Sequence, residues 1–117
     1  MSLETELVAR LQTVCPRVFP DVAPLDTERP YITWQQIGGD APVYVEAAVL
    51  NQRNAFVQVN CWADTRAQAN TLSQQVEQAL VTATTLQAQP QSALIAAHDE
   101  DTDRRGAQQD FSIWALR

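Results

Sequence analysis

The sequence predicts an α+β protein of a single domain, with a mainly antiparallel sheet of four to five strands and two helices packed on one face of the sheet. Residues 55–63 alternate in side-chain character with a period of two, which is typical of a strand with one buried face. From Arg66 onward the apolar residues recur every three or four positions, which is typical of an amphipathic helix. A sheet with helices on one side buries both of these apolar surfaces.

A helix-capping signal lies between this central strand and the helix. Asp64 and Thr65 follow the strand, and a short side-chain oxygen here can accept a hydrogen bond from a free backbone N–H of the first helical turn. We therefore expect the helix to begin at Arg66 and to carry its apolar stripe as far as Ala83.

The N-terminal part of the chain predicts a first helix and then an ordered loop. Residues 2–14 carry an apolar stripe, and Pro16 ends the helix because proline cannot continue the backbone hydrogen bonds. Residues 16–30 contain four prolines and no glycine, so we expect an extended loop with fixed backbone angles. Three apolar residues are expected to pin this loop to the core: Val18, Phe19 and Val22.

The other predicted strands are built from β-rich segments that turns separate. The five predicted strands are residues 31–37, 42–50, 55–63, 94–97 and 109–116. Gly38-Gly39-Asp40 is a turn, and residues 51–54 can close the segment 42–50 as a hairpin on the central strand, unless that segment projects as an arm. Residues 98–106 form a charged tip between the last two strands.

The charge of the chain argues against binding to nucleic-acid backbones. The net charge is −6, and all eight basic residues are arginines. Proteins that bind phosphate backbones use clustered Lys and Arg to displace counterions, and this sequence shows no such cluster. The chain also shows no leader and no apolar run near the ~20 residues that span a bilayer, so we expect a soluble cytoplasmic protein without membrane contact.

One histidine stands beside a run of acidic residues, where a metal site or a general base held by a carboxylate could be sought. His98 is followed by Asp99, Glu100, Asp101 and Asp103. The run lacks the glycine and the spaced ligands of a calcium loop, and one histidine without a nearby cysteine makes a poor zinc site. We interpret it as a solvated hairpin tip and expect no catalytic residue, no metal and no cofactor. Loss of a measured activity on His98→Ala would revive the enzyme hypothesis.

The two cysteines lie far apart in the sequence. Cys61 falls on the apolar face of the central strand, which favours a buried free thiol. A disulfide with Cys15 is possible, although the spacing does not require one.

Large aromatic side chains occur in several predicted strands, some of them on the face opposite the core residues. Monomeric proteins rarely expose such area, so these residues are candidate contacts with another subunit or a partner. A loop or the segment 42–50 could cover them instead, and both interpretations stay open. The candidate contact residues are Phe19, Trp34, Phe56, Trp62 and Trp114. Stacking of single-stranded nucleic acid on them would need a basic groove that the sequence lacks.

Several segments in the same order resemble the small tail-completion proteins of tailed bacteriophages and prophages. These segments are Val18-Phe19-Pro20-Asp21-Val22-Ala23-Pro24, Arg29-Pro30-Tyr31-Ile32-Thr33-Trp34-Gln35, Val57-Gln58-Val59-Asn60-Cys61-Trp62-Ala63-Asp64-Thr65, Ala69, and Asp110-Phe111-Ser112-Ile113-Trp114. The resemblance covers nearly the whole chain. It extends to tail terminators, which share the fold and the place of action.

The resemblance implies a structural virion protein that caps the head-proximal end of the tail tube and joins it to the head connector. It implies a ring, often a hexamer, whose partners are further copies of itself, the tail tube protein and the head-connector protein. DNA would pass through the ring without specific binding. The protein would occur in the host bacterial cytoplasm during assembly and then in the virion tail, and the family has no catalytic residues to carry over.

The acidic tip acquires a role under this hypothesis. Asp99, Glu100, Asp101 and Asp103 could line the channel of the ring, where like charge would keep passing DNA from sticking. The alternative is a non-viral adaptor or interaction domain without catalysis, which would use the same aromatic residues as a monomer or a dimer.

Overall fold

The computed structural model describes residues 3–39, 52–99 and 103–116. The predicted strand at residues 42–50 lies outside the described residues, as do the tip residues Glu100 and Asp101. The described residues form the helices α1 (Leu3–Gln12) and α2 (Arg66–Val81). They also form the strands β1 (Val18–Pro20), β2 (Tyr31–Gly38), β3 (Gln52–Ala63), β4 (Gln89–Pro90), β5 (Ile95–Asp99) and β6 (Arg104–Leu116).

Local chemistry sets the start of α2 and the end of α1. Thr65 is the N-cap of α2, and its hydroxyl accepts a hydrogen bond from the backbone N–H of Gln68 at 3.2 Å, as the sequence predicted. Helix α1 ends at Gln12, two residues before the predicted end, and the backbone N–H of Cys15 still reaches the carbonyl of Leu11 at 3.1 Å. Pro16 follows this last turn.

The strands form one mixed sheet in the order β1-β2-β3-β6-β4, with β5 also paired to β6. Strands β1 and β2 are parallel, and every other described pair is antiparallel. All 12 residues of β3 pair with β6, so these two long strands form the centre of the sheet. The predicted α+β class is confirmed, with six strands among the described residues instead of the predicted four to five.

The two helices pack on the same face of the sheet, which confirms the predicted arrangement. One core contains the leucines of α1, the apolar stripe of α2 and the inward-facing residues of β3 and β6. Fully buried examples from these elements are Leu7, Leu11, Val76, Leu80, Val57, Val59, Phe111 and Ile113. Because side chains alternate along a strand, the neighbours of these strand residues point to the opposite side.

We call that opposite side of the sheet the outer face. By register it carries Phe19 of β1, Tyr31 and Thr33 of β2, Phe56, Gln58, Asn60 and Trp62 of β3, and Arg104, Gly106, Gln108, Asp110, Ser112 and Trp114 of β6. Strand β6 begins at Arg104, five residues before the predicted start, so part of the predicted charged tip is strand.

Only part of the proline-rich connection packs on the core as expected. Val18 contacts the core as predicted. The expectation for Val22 is wrong, because this side chain is 77% exposed. The backbone N–H of Asp21 still bonds to the carbonyl of Trp34 at 2.8 Å, which ties the start of the turn to β2.

Candidate assembly surface

Four of the five predicted aromatic contact residues lie on the outer face. Phe19, Phe56, Trp62 and Trp114 are all half-buried, so part of each ring remains in contact with solvent. Phe56 stands opposite Ser112 and Trp114 stands opposite Asn54 in the β3–β6 ladder. These four side chains are therefore available for contact with another protein.

Trp34 does not fit the expectation of a contact residue. It pairs with Val59 and shares the helix-covered face, where it is only 8% exposed. Its Nε1 has no hydrogen-bond acceptor among the described residues. Trp34 is thus a residue of the core, because the register of β2 on β3 turns its side chain inward.

A cluster around Trp62 occupies one end of the outer face. The guanidinium carbon of Arg104 lies 4.3 Å from the Trp62 ring centroid and 6.0 Å from that of Tyr31, within the range of a cation–π contact. Arg104 Nη1 also donates a hydrogen bond to the Tyr31 hydroxyl. Phe19 meets the Tyr31 ring edge-on, with centroids 6.5 Å apart. These contacts form one aromatic and cationic cluster, within which Tyr31 is buried.

Gly106 allows Trp62 to lie close to the sheet. A Cβ atom at position 106 would stand 2.7 Å from Cζ3 of Trp62, which is closer than real Cβ contacts occur. The indole therefore packs directly against the glycine backbone, below Arg104. Sequence reasoning found Trp62 but missed Arg104, Tyr31 and Gly106, because only the register of β3 on its neighbours brings them together.

The opposite end of the outer face is uncharged among the residues whose side chains are described. Asn54 is buried, and its Nδ2 donates to the Ser112 hydroxyl and to the Ile113 carbonyl, both at 3.1 Å. Phe56 and Trp114 are close in the same ladder. Between the two ends the face carries mostly amides, such as Asn60, whose Nδ2 lies 3.4 Å from Gln58 Oε1. The outer face thus combines aromatic ends with a polar centre.

The loop at residues 21–28 makes the outer face concave at the Trp62 end. A cavity of about 270 Å³ lies between the loop and the sheet, and its wall includes Ala23, Asn60 and Trp62. A second cavity of about 320 Å³ lies between the loop and Tyr31. Arg104 lines both cavities, so it stands at the centre of this concave region.

The charged tip lies between the antiparallel strands β5 and β6, where the sequence placed a hairpin tip. Asp99 is the last residue of β5, and Asp103 precedes β6 with a positive φ of 51°. Asp103 is exposed and accepts a hydrogen bond from His98 Nε2 at 3.0 Å, while Arg105 Nη2 lies 3.8 Å away. The hydrogen bond from His98 and the charge of Arg105 hold the pKa of Asp103 below its usual value.

The described residues carry no group of three or more His, Cys, Asp or Glu side chains that could hold a metal ion. His98 is instead engaged with Asp103. Cys15 and Cys61 are both buried and free, as the first of the two cysteine hypotheses predicted. Burial, with a smaller contribution from nearby Cys15, raises the pKa of the Cys61 thiol to about 12, so it is not a nucleophile near neutral pH. None of the described helices is long and apolar enough to cross a membrane.

The comparisons with known proteins identify the class of this chain. A family model described as "Tail completion protein gp17" matches residues 4–116, nearly the whole chain. The chain belongs to this family of tail completion proteins, which confirms the resemblance drawn from its segments. It is therefore a structural protein of a phage tail.

The comparison with solved structures agrees on the fold. A chain in the structure titled "Virion of native gene transfer agent (GTA) particle" matches with a TM-score of 0.60 and 18% sequence identity. The match covers 95% of this chain and 84% of that chain. At this identity the likeness speaks for the fold alone. No curated protein matches the sequence significantly.

Proposed function

We propose that this protein is a tail terminator, which forms a closed ring of copies at the head-proximal end of the tail tube. The ring stops growth of the tube and presents a docking surface to the head connector. Six is the number of copies that the family resemblance implies. Membership of the tail completion family supports the place of action, and the outer face supports the assembly.

The observation that carries this proposal is the set of half-buried aromatic rings on the outer face. Phe19, Phe56, Trp62 and Trp114 are spread over one face of a sheet whose other face is covered by the helices. Aromatic residues are enriched at protein interfaces and scarce in contact with water on monomers. The outer face is therefore the surface that we assign to contact with another copy or with a virion partner.

The same proposal assigns the partners and the place of the protein. Its partners are further copies of itself, the tail tube protein and the head-connector protein, and it acts without catalysis. DNA passes the ring without specific binding, in keeping with the net charge of −6. Assembly takes place in the cytoplasm of the bacterial host, and the finished ring stays in the virion tail.

Electron microscopy and native mass spectrometry of the purified protein over a range of concentrations test the ring. We expect uniform rings with a central hole, and we expect tails of uncontrolled length when the gene is deleted. Phe56→Ala and Trp114→Ala should shift the protein toward monomers. Val81→Ala is the matched control, because Val81 is an apolar residue of α2 that is 48% exposed.

Rings that persist in both aromatic variants would show that the outer face is not the contact between copies. Monomers at every concentration call for the same measurement with purified tail tubes, where labelled protein should bind at one end of each tube. A protein that neither forms rings nor binds a tube end, and whose deletion leaves tail length unchanged, is not a terminator. The adaptor alternative would then replace the proposal.

We assign the acidic tip to the channel of this ring. Reversing the charges of Asp99, Glu100, Asp101 and Asp103 to Lys should leave the fold intact and slow DNA delivery, since cationic side chains would hold the phosphate backbone. Neutral Asn and Gln variants at the same four positions are the control and should have a smaller effect. Equal DNA delivery in the wild type and both variants would contradict the channel assignment.

A further inference from the structure

The loop at residues 21–28 presents two apolar side chains to solvent beside the outer face. Leu25 is 90% exposed and Val22 is 77% exposed, the highest values among the large hydrophobic side chains described. The backbone N–H of Thr27 bonds to the carbonyl of Pro24 at 3.2 Å, which closes a turn around Leu25. This turn holds Leu25 outward, where a partner protein can reach it.

The same two side chains line the cavity of about 320 Å³ between the loop and Tyr31. The carboxylate-bearing residue Asp26 lines this cavity as well, and Asp21 lines the neighbouring cavity of about 270 Å³. The region thus combines an apolar wall, made by Val22, Leu25 and Tyr31, with acidic side chains. Lys and Arg match such a site, because each has an apolar stem and a charged head.

The two arginines beside these cavities are already engaged within the chain. Arg104 donates a hydrogen bond to the Tyr31 hydroxyl, and its guanidinium lies over the Trp62 ring, 4.3 Å from the ring centroid. Arg29 Nη1 lies 3.0 Å from Asp64 Oδ1. Both bases therefore have partners of their own and do not neutralise the acids of the loop.

The acids of the loop are exposed and carry no such partner. Between residues 21 and 28 the loop contains three acids and no base. Asp21, Asp26 and Glu28 take part in no ion pair within the described part of the chain. The charge that this region offers to a partner is therefore negative, and the complementary group is a cation.

A second copy of this chain is a poor match for such a region. Each copy has a net charge of −6, so the acidic loop of one copy and the surface of the next repel each other at long range. The proposed contact between copies uses Phe56 and Trp114, at the uncharged end of the outer face. The partner that fits the loop is therefore another protein, with a basic surface segment.

From these observations we infer that the loop site, formed by Asp21, Val22, Leu25, Asp26 and Tyr31, binds a basic segment of another virion protein. A Lys or Arg side chain of that segment enters the cavity with its stem along Val22 and Leu25 and its charged head at Asp26. The inference rests on the proposed function and names the surface with which the ring docks to its neighbours in the virion. The contact between copies stays at the other end of the outer face.

Removal of the two carboxylates tests the charge of the loop site. Asp21 and Asp26 have positive φ values of 63° and 62°, and asparagine adopts this backbone conformation as readily as aspartate, so Asp21→Asn combined with Asp26→Asn should keep the loop intact. Native mass spectrometry should show unchanged rings. Binding of rings to purified tail tubes and joining of tails to heads are then measured separately, and one of them should weaken by about tenfold or more.

A matched control removes the same charge elsewhere. Glu4→Gln combined with Glu6→Gln changes two acids in the first turn of α1 and should leave both binding steps unchanged. The apolar wall is tested in the same way by Leu25→Ser, which should also weaken one of the two steps. Val81→Ser is its control, because Val81 is an exposed apolar residue of α2, far from the loop in the chain.

A short labelled peptide tests the chemistry of the site without the virion partner. The probe is acetylated leucine-arginine-leucine, and its control replaces arginine by citrulline, which has nearly the same shape but no charge. Fluorescence anisotropy should show that the wild type binds the arginine peptide at least about fivefold more tightly than the citrulline peptide. The variant with Asp21→Asn and Asp26→Asn should lose this preference. Equal affinity of the wild type for both peptides would overturn the inference.

The other outcomes separate the loop site from the proposed function. Loss of rings in the loop variants would assign the loop to the contact between copies and overturn the inference. Unchanged rings, tube binding and head joining in these variants would also overturn it and leave the terminator standing. A wild type that neither forms rings nor binds tubes would overturn the terminator, and preference for the arginine peptide would then still support a site for a basic segment.

Discussion

The two faces of the same sheet differ sharply in what they bury. On the helix-covered face, β3 contributes Val57, Val59 and Cys61, each at most 2% exposed. On the outer face the intervening residues are Phe56, Gln58, Asn60 and Trp62, all half-buried. Larger side chains are thus less buried than smaller ones of the same strand. The difference indicates that the helix-covered face stabilises the subunit, and it leaves the outer face for the assembly contact that we propose.

The largest expected effect comes from replacing one phenylalanine by alanine on each of the two faces. Phe111→Ala should lower the free energy of unfolding by about 3–5 kcal/mol, because Phe111 is fully buried under the helices. Phe56→Ala should cost roughly 1 kcal/mol, since this half-buried ring loses less contact, but it should abolish ring formation. Urea denaturation measures the free energy of unfolding of both variants, and native mass spectrometry measures ring formation. Equal losses of stability in the two variants would remove the distinction between the faces.

Alkaline pH provides a probe that is specific to the helix-covered face. Burial raises the pKa of Cys61 from 9.0 to about 12, so the unfolded chain ionises first as the pH rises. The contribution of the Cys61 thiol to the free energy of unfolding is fully present below pH 9 and is lost progressively toward pH 12. The total loss is on the order of 4 kcal/mol, because one pKa unit corresponds to about 1.36 kcal/mol. Urea denaturation between pH 8 and about 11, with reductant, should show this loss in the wild type.

Cys61→Ala is the control for the alkaline loss. It removes the thiol and leaves the same neighbours, so the difference in stability between the two proteins should shift in favour of the variant above pH 9. A difference that stays constant from pH 8 to about 11 would mean that Cys61 does not ionise on unfolding in this range. The other groups that titrate at alkaline pH are common to both proteins.

A smaller effect is expected where the outer face packs most tightly. Gly106→Ala places a Cβ 2.7 Å from the Trp62 ring, so the indole must move away from the sheet and from Arg104. We expect the free energy of unfolding to fall by about 1–3 kcal/mol and the tryptophan fluorescence to change. In a Trp62→Leu background the same substitution should cost much less, which a double-mutant cycle measures. Equal costs in both backgrounds would show that Trp62 does not contact Gly106.

The fold could be predicted where a repeating pattern or a local cap determines the structure. The alternation at residues 55–63 and the cap at Thr65 depend on neighbouring residues, so one sequence suffices to find them. The strands β1 and β4 have three and two residues, too few for a pattern to develop. They exist because the backbones of β2 and β6 offer them hydrogen-bond partners, and no local signal reports this.

The candidate surface could be predicted only in part. Phe56 and Trp62 follow from the alternation of β3, whose opposite face is clearly apolar. Strand β2 has aromatic residues on both faces, Tyr31 and Trp34, so only its pairing with β3 shows which of them is inward. Arg104 lies 42 residues beyond Trp62 in the chain, by the difference of their numbers, and only the β3–β6 register brings the two together.

The smallest expected effect comes from the exposed tip, in contrast to the buried thiol. Asp103 has a lowered pKa through the hydrogen bond from His98 and the charge of Arg105, so it stabilises the folded chain while it is ionised. This contribution is present above the usual value of 3.8 and is lost as the pH falls through the lowered pKa of the folded state. The melting temperature of Asp103→Asn should therefore lie slightly below that of the wild type at neutral pH.

The two melting temperatures should converge as the solution becomes more acidic than pH 3.8, because the wild-type carboxylate is then protonated too. A difference that is the same at every pH would mean that the substitution changes the backbone turn, where Asp103 has a positive φ, and not the charge. Asp103→Gly distinguishes these causes, since glycine favours that turn but also lacks the charge. A loss of stability in both Asp103→Asn and Asp103→Gly would assign the effect to the ion pair of Asp103. This stabilisation would then belong to the water-exposed tip and to neither face of the sheet.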